Sequence, residues 1–315
     1  MLRRFLMVAV IFVLVLASVL AGLIFKFEAL QFGRGANKSP VTEGHAGLTP
    51  KDADTPEPKS GGEEAEGKAA RPAPEGPKKG DTGTFAGIDF VWVEAGTFTM
   101  GSPSDEINRG PDEGPQHSVT ISKGFWMGKY EVTQNQWQSE MGHNPSSRKG
   151  DDNPVENVNW NDAQDFIKKL NAKEQGHFRL PTEAEWEYVC RAGTSTAYSF
   201  GSSSSDLGSY AWYKDNAWDV GEKYAHRVGQ KKPNPWGLYD MYGNAKEWCQ
   251  DWWEWGGYSP DPQVDPTGPS SGLSRVLRGG SFSYGDGALR SANRDTEGLP
   301  DYSGGYFGFR VVRIE

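Results

Sequence analysis

The stretch RLPTEAEWEY, residues 179–188, is the first of four strings that decide the fold of this chain. Within it, Thr182 is followed three residues later by Glu185, which is the pattern of a helix capping box. The pattern predicts a helix that starts at Thr182 and ends before Gly193. The other three strings follow in order: GLYDMYGNAKEW at 237–248, RVLRGGSF at 275–282 and GFR at 308–310.

Regular elements are also predicted upstream of this helix. Thr133 and Gln136 form a second capping box, for a helix that ends at Gly142. An apolar face predicts a further helix from Asp162 to Lys173. Alternating or apolar runs predict short strands at 90–93, 96–101, 118–121 and 124–127.

Composition confines the core to the C-terminal part of the chain. All 12 tryptophans lie between Trp92 and Trp255, and residues 1–80 contain no Trp, Tyr or Cys. The 40 glycines among 315 residues favour a domain of turns and loops. The net charge is 33 − 42 = −9 without a long basic run, so we expect no nucleic-acid partner. We predict an α+β domain of low regular content over residues 85–315.

The N-terminal residues predict a membrane anchor. Arg3 and Arg4 precede an unbroken apolar run over residues 5–25, and about 20 apolar residues cross a bilayer. A cleaved signal peptide is the alternative, but its apolar region is usually only ~7–15 residues long. We therefore favour an uncleaved transmembrane helix over residues 1–26. The paired arginines predict a single-pass protein with a cytoplasmic N-terminus and a periplasmic or extracellular domain.

The anchor and the domain are joined by a predicted linker, residues 27–84. This segment mixes Pro, Gly, Glu, Lys and Ala with few apolar residues beyond its start. It cannot bury enough surface to offset the chain entropy, so we expect it to be disordered and to act as a spacer.

Taken together, the four strings resemble the formylglycine-generating enzyme (sulfatase-modifying factor) family. Further matching pieces are TMGS from Thr99, KYEVT from Lys129 and PVENVNW from Pro154, so the resemblance covers residues 90–313. It implies a variant of the C-type lectin fold with little regular secondary structure.

The resemblance also identifies a substrate cleft and a departure from the family. By family position, Ser281, Tyr284 and Leu289 lie at the cleft. Active members carry a cysteine pair at the positions of Tyr284 and Leu289, where copper is held and a substrate cysteine is oxidised to formylglycine. Soft thiolates select Cu(I), so the resemblance implies that copper chemistry is lost here. Whether the chain is an enzyme, and whether it binds another redox metal, stays open.

A calcium site is the second implication of the resemblance. Carried over by position, the ligands are Asp240 and Glu247 through their carboxylates and Gly243 and Ala245 through backbone carbonyls. Hard oxygen donors of this kind suit Ca²⁺. The alternative is a tight turn whose acidic residues bond backbone amides. Lys246 is a further departure, since active members usually carry Trp next to the cleft.

The two cysteines allow two interpretations. Outside the cytoplasm Cys190 and Cys249 could form a disulfide, or they could be buried thiols that pack as small apolar residues. The family partner of Cys190 falls at Val311, so that disulfide cannot form. The five histidines show no metal-ligand spacing, and the aromatic cluster at 252–255 is either core packing or a ligand surface.

Three functions follow from these observations. The first is an anchored binding module for a protein, peptide or glycan, without copper–cysteine chemistry. The second is a metal-dependent oxidase or protein-modifying enzyme that uses other residues in the same cleft. The third is a formylglycine generator that uses Cys190 and Cys249. The missing thiol pair and the tether favour the binding module.

Overall fold

The computed structural model describes residues 76–173, 176–295 and 298–314. The predicted anchor and all but the last nine residues of the predicted linker lie outside these ranges. Within them, no helix is long and apolar enough to cross a membrane.

The largest sheet of the described residues has five strands in the order β1-β2-β5-β11-β6. Its strands are β1 (Thr82–Phe85), β2 (Ile88–Val93), β5 (Phe125–Gly128), β6 (His177–Arg179) and β11 (Val312–Ile314). The pairs are antiparallel throughout. Strand β1 begins three residues before the predicted start of the domain at Phe85, and the sequence did not predict it.

Two three-stranded sheets complete the described β-structure, with the orders β3-β4-β8 and β10-β7-β9. Their strands are β3 (Gly96–Met100), β4 (His117–Ile121), β7 (Lys246–Trp252), β8 (Gln263–Val264), β9 (Arg275–Arg278) and β10 (Phe307–Gly308). Strand β10 runs parallel to β7, with Phe307 opposite Lys246. This register brings the C-terminal segment against the GNAKEW string.

The helices begin where the capping patterns predict. Helix α1 (Gln134–Met141) and helix α3 (Glu183–Arg191) have complete capping boxes at Thr133 and Thr182. Helix α2 (Trp160–Lys173) starts before the predicted Asp162, because the side chain of Asn159 accepts a hydrogen bond from the Asp162 N–H at 2.9 Å. A short helix, α4, spans Leu207–Tyr210.

The core is apolar and aromatic, and long irregular segments cover it. One part surrounds Trp137, whose ring stacks on Phe166 at 5.5 Å, and another contains Trp186 of α3. The mixed α/β architecture and low regular content confirm the predicted fold class.

Candidate functional site

Buried polar contacts join the four strings of the sequence. The Trp186 indole N–H donates to Glu247 Oε2 at 2.7 Å, and Arg310 donates to both oxygens of Glu247. Arg278 forms a buried ion pair with Oε2 of Glu187 in α3. Charged groups are almost never fully buried unless paired, so these pairings fix how the strings meet.

The RGGSF segment carries the predicted cleft residues. Gly279 and Gly280 have φ values of 90° and 71°, the left-handed region that glycine adopts without strain. A Cβ on Gly280 would lie 2.8 Å from Leu289 Cδ1. Leu289 is fully buried, so the structure places it in the core and not at an open surface. Ser281 is also buried, with its Oγ 3.0 Å from the Oγ of Ser283.

Tyr284 belongs to a group built around a buried lysine. The Nζ of Lys246 lies 3.9 Å from the ring centroid of Tyr284, 5.3 Å from that of Tyr306 and 5.7 Å from that of Phe307. The same ammonium forms an ion pair with Asp295. Because Lys246 has only 1% of its side chain exposed, its charge is desolvated and its attraction to the rings is strengthened. Tyr284, which the sequence resemblance assigns to a thiol position of the family, is therefore a phenol that packs on a lysine.

Partly exposed aromatic side chains adjoin this group. Tyr284 and Tyr306 are half-buried with ring centroids 5.8 Å apart, while Tyr302 and Trp218 are 52% and 38% exposed. Tyr302 packs on Phe307, and so does Tyr306. Trp218 stacks on Phe282, whose cluster also packs against Tyr306. We call Trp218, Tyr284, Tyr302 and Tyr306 the aromatic surface. Large amphipathic rings of this kind are enriched where proteins bind partners.

The predicted calcium ligands lie beside one another at the start of β7. Asp240 Oδ2 accepts from the Gly229 N–H at 2.7 Å, and Oδ1 is a buried oxygen without a hydrogen-bond partner among the described residues. Both oxygens of Glu247 are already bonded to Arg310, and one of them also to Trp186. The unpartnered oxygen of Asp240 fits a hard cation, and of the two oxygens of Glu247 only Oε1, which accepts a single hydrogen bond, keeps a lone pair for one.

A third carboxylate, Glu131, lies in the same pocket and was not predicted as part of the site. Its oxygens accept from the Ala245 N–H at 2.9 Å and from the Asn244 amide at 3.0 Å. Burial raises the pKa of Glu131 well above its ordinary value, and the neighbouring charges of Asp240 and Glu247 raise it further. Burial also raises the pKa of Asp240 to about 6. The sequence contains Glu131 in the KYEVT piece, but nothing local to that piece shows which turn it faces.

The cysteines are two free, fully buried thiols, as in the second of the predicted alternatives. Burial raises the pKa of Cys190 to about 11, and it raises the pKa of Cys249 well above its usual range. Thiolates, not thiols, ligate metals. Across residues 76–173, 176–295 and 298–314, no group of three or more His, Cys, Asp and Glu side chains is arranged to hold a metal ion.

The histidines and the aromatic cluster at 252–255 are two further features that the sequence left open. His226 is buried and stacks on Trp212 at 3.9 Å, and burial lowers its pKa. In the aromatic cluster at 252–255, Trp253 is packed in the core, whereas Trp255 is 82% exposed. Core packing therefore describes only part of that cluster.

Comparison with known proteins identifies the class to which this fold and site belong. The solved structure of PvdO from Pseudomonas aeruginosa superposes with a TM-score of 0.69 at 29% sequence identity, covering 76% of this chain and 100% of that one. A family model described as the sulfatase-modifying factor enzyme 1-like domain matches residues 80–314. The chain belongs to this family, as the sequence motifs predicted.

Curated relatives carry different names. The chaperone protein LppX of Paenibacillus barcinonensis is 34% identical over an alignment of 228 residues, and the match covers 57% of this chain and 76% of LppX. The formylglycine-generating enzyme of Streptomyces coelicolor is 36% identical over an alignment of 177 residues, and the match covers 50% of this chain and 52% of the enzyme. The chain thus spans about half the length of that enzyme.

Proposed function

We propose that this family domain is a binding module, held outside the cytoplasm by the N-terminal anchor, that recognises a protein, peptide or glycan without copper–cysteine chemistry. The arrangement around Tyr284 carries the proposal. Where the family reaction needs a thiolate, this chain has a phenol packed on Lys246, which is itself ion-paired with Asp295. The second thiol position, Leu289, is filled by a core side chain.

The aromatic surface is the proposed contact region. Its rings combine apolar faces with hydroxyl and indole groups, so they can pack on a partner and hydrogen-bond to it with little loss of side-chain entropy. A relative named as a chaperone protein favours a protein or peptide ligand over a glycan.

We also propose that calcium stiffens the turn that ends in β7. Asp240, Gly243, Ala245 and Glu247 would hold the ion through carboxylate and carbonyl oxygens, the donors that Ca²⁺ prefers. The support for this is the unpartnered Asp240 oxygen and the excess of carboxylates over the single guanidinium of Arg310. Bound calcium would fix the backbone that carries Lys246 into the group around Tyr284.

Peptide and glycan arrays probed with the purified protein test the binding role. We expect a defined set of ligands whose signal is lost in the variants Tyr284→Ala and Tyr306→Ala. Trp255→Ala is the matched control, because it removes an exposed aromatic side chain outside the aromatic surface. Equal profiles for all four proteins would show that the ligand is bound elsewhere, and stoichiometric iron or copper in the purified protein would favour the oxidase.

A further inference from the structure

A cavity of about 310 Å³ lies between the first turn of α3 and the loop over residues 254–269. It has no lining residue in common with the aromatic surface. The rings of His117 and Tyr258 meet in its wall with centroids 5.0 Å apart, and Trp252 contributes a third aromatic side chain. Its volume is at the lower end of the ~300–1,000 Å³ typical of ligand pockets, so it suits one side chain or a small molecule.

Asp251 of β7 reaches this cavity with a carboxyl that is poorly satisfied. Its side chain is buried, with 3% exposure of the residue. Among the described residues its one hydrogen bond is from the Glu183 N–H to Oδ2 at 2.9 Å. No ion pair in the described part of the chain involves Asp251, although buried carboxylates are normally paired.

The nearby cation is already committed to another carboxylate. Arg294 donates to both oxygens of Glu183, at 2.6 and 2.9 Å, and to the Asp112 carbonyl at 3.0 Å. Glu183 and Arg294 therefore neutralise each other. Asp251 and Glu254 line the cavity without a direct ion pair among the described residues, and the charges of Arg179, Arg275 and Arg294 act on Asp251 only at longer range. A cation that enters the cavity can therefore bond Asp251 directly.

We propose that this cavity binds an alkylammonium or guanidinium group, of the kind carried by lysine and arginine side chains, with Asp251 as the counter-ion and Glu254 at the rim. The aromatic walls suit such a ligand, because cations bind favourably over Tyr and Trp faces. The chain itself provides an example, since the Arg294 guanidinium lies 4.6 Å from the Tyr258 ring centroid.

Binding is coupled to proton release. Burial and, after it, the charge of Glu183 together raise the pKa of Asp251 to about 8, so the carboxyl carries a proton near neutral pH. An arriving cation stabilises the carboxylate, and the proton leaves to solvent. The titratable and charged groups around Asp251 come from several elements: Glu183 and Glu185 of α3, Arg179 of β6, His117 of β4, Arg275 of β9, and Cys249, Glu254, Tyr258 and Arg294.

Calorimetric titration of the intact protein tests the proposal. The probes are N-acetyl-lysine methylamide, n-butylammonium and the neutral isostere N-acetyl-norleucine methylamide, each in two buffers of different ionisation enthalpy at pH 7. We expect a charged probe to bind with release of roughly one proton, and the norleucine probe not to bind. If n-butylammonium binds, a free amine is sufficient as the ligand. If only the lysine probe binds, the ligand is a lysine side chain within a peptide.

Variants and pH complete the test. Asp251→Asn keeps the shape and the acceptor for Glu183, and we expect it to weaken binding by roughly tenfold or more. Asp165→Asn removes an exposed carboxylate on α2 and should bind as the wild type does. For the wild type, affinity should rise about tenfold from pH 6 to pH 7, as Asp251 loses its proton more easily. Equal binding of the norleucine probe, a pH-independent affinity, or no binding of either charged probe would overturn the proposal.

Discussion

Replacing Arg310 by methionine removes the cation on which the centre of the family motifs depends. The guanidinium donates to Glu247 Oε2 at 2.6 Å and to Oε1 at 2.5 Å. It also donates to the carbonyl oxygens of Gly128 at 3.0 Å and Tyr239 at 3.1 Å. Arg310 and Glu247 are both fully buried, so water cannot replace these bonds.

We expect Arg310→Met to lower the free energy of unfolding by about 3–5 kcal/mol at pH 7, the usual cost of removing one partner of a buried ion pair. Glu131 and Asp240 place the expected value in the upper part of this range, because their buried carboxyls also interact with Arg310. For a domain of this length each kcal/mol corresponds to ~2–4 °C, so the Tm should fall by roughly 10 °C.

Urea unfolding followed by tryptophan fluorescence measures the change. The matched control is Arg227→Met, which breaks an exposed pair with Asp152 whose side chains are 64% and 60% exposed. Exposed pairs contribute only ~0–1 kcal/mol, so this variant should unfold like the wild type. A loss below about 1 kcal/mol for Arg310→Met would refute the reasoning, because it would mean that Glu247 is stable without its guanidinium.

Three further predictions concern metal, protons and backbone. Calcium should raise the Tm of the wild type but not that of Asp240→Asn. Scanning calorimetry of each protein with added calcium and with EGTA measures the difference, and an equal rise in both proteins would exclude Asp240 as a ligand. The pKa of Asp251 is raised above its ordinary value by burial and by Glu183, so the native state holds this proton more tightly than the unfolded state does. The contribution of this group to the free energy of unfolding should therefore fall as pH rises from about 4 towards 8. Urea unfolding at several pH values should show a smaller decrease with pH in Asp251→Asn than in the wild type. The same decrease in both proteins would show that Asp251 is not its source. Gly280→Ala should cost about 1–3 kcal/mol, because φ is 71° and the new Cβ meets a buried side chain at 2.8 Å. Gly285→Ala, with ordinary φ and open space, is its control and should be near neutral.

The sequence predicted correctly those helices whose start is fixed by hydrogen bonds between residues close together in the chain. The capping boxes at Thr133 and Thr182 place both helix starts correctly, because the hydrogen bonds that stop fraying lie within four residues of each other. Strand β1 was missed because Thr82–Phe85 has no fully buried residue and becomes a strand only by pairing with β2.

The candidate site was predicted only in part, because most of its geometry is nonlocal. Lys246 could be recognised as a departure from the family, but its surroundings depend on the parallel pairing of β10 with β7, which brings Phe307 opposite Lys246. Counting offsets from RGGS assigned Leu289 to the cleft, and this stays a prediction; the structure adds that the side chain is fully buried. Spacing along the chain does not reveal which way such an irregular segment turns.

The central claim is that this member keeps the family fold without its thiol chemistry. In the most direct test, the purified protein is incubated aerobically with copper and a sulfatase-derived cysteine peptide, and mass spectrometry follows the mass of the peptide. An active formylglycine-generating enzyme, treated in the same way, is the positive control. We predict no conversion of the peptide cysteine, and no difference between the wild type and the double variant Cys190→Ser/Cys249→Ser. Appearance of the formylglycine peptide with the wild type would contradict the claim, and its loss in the double variant would assign the chemistry to the buried thiols.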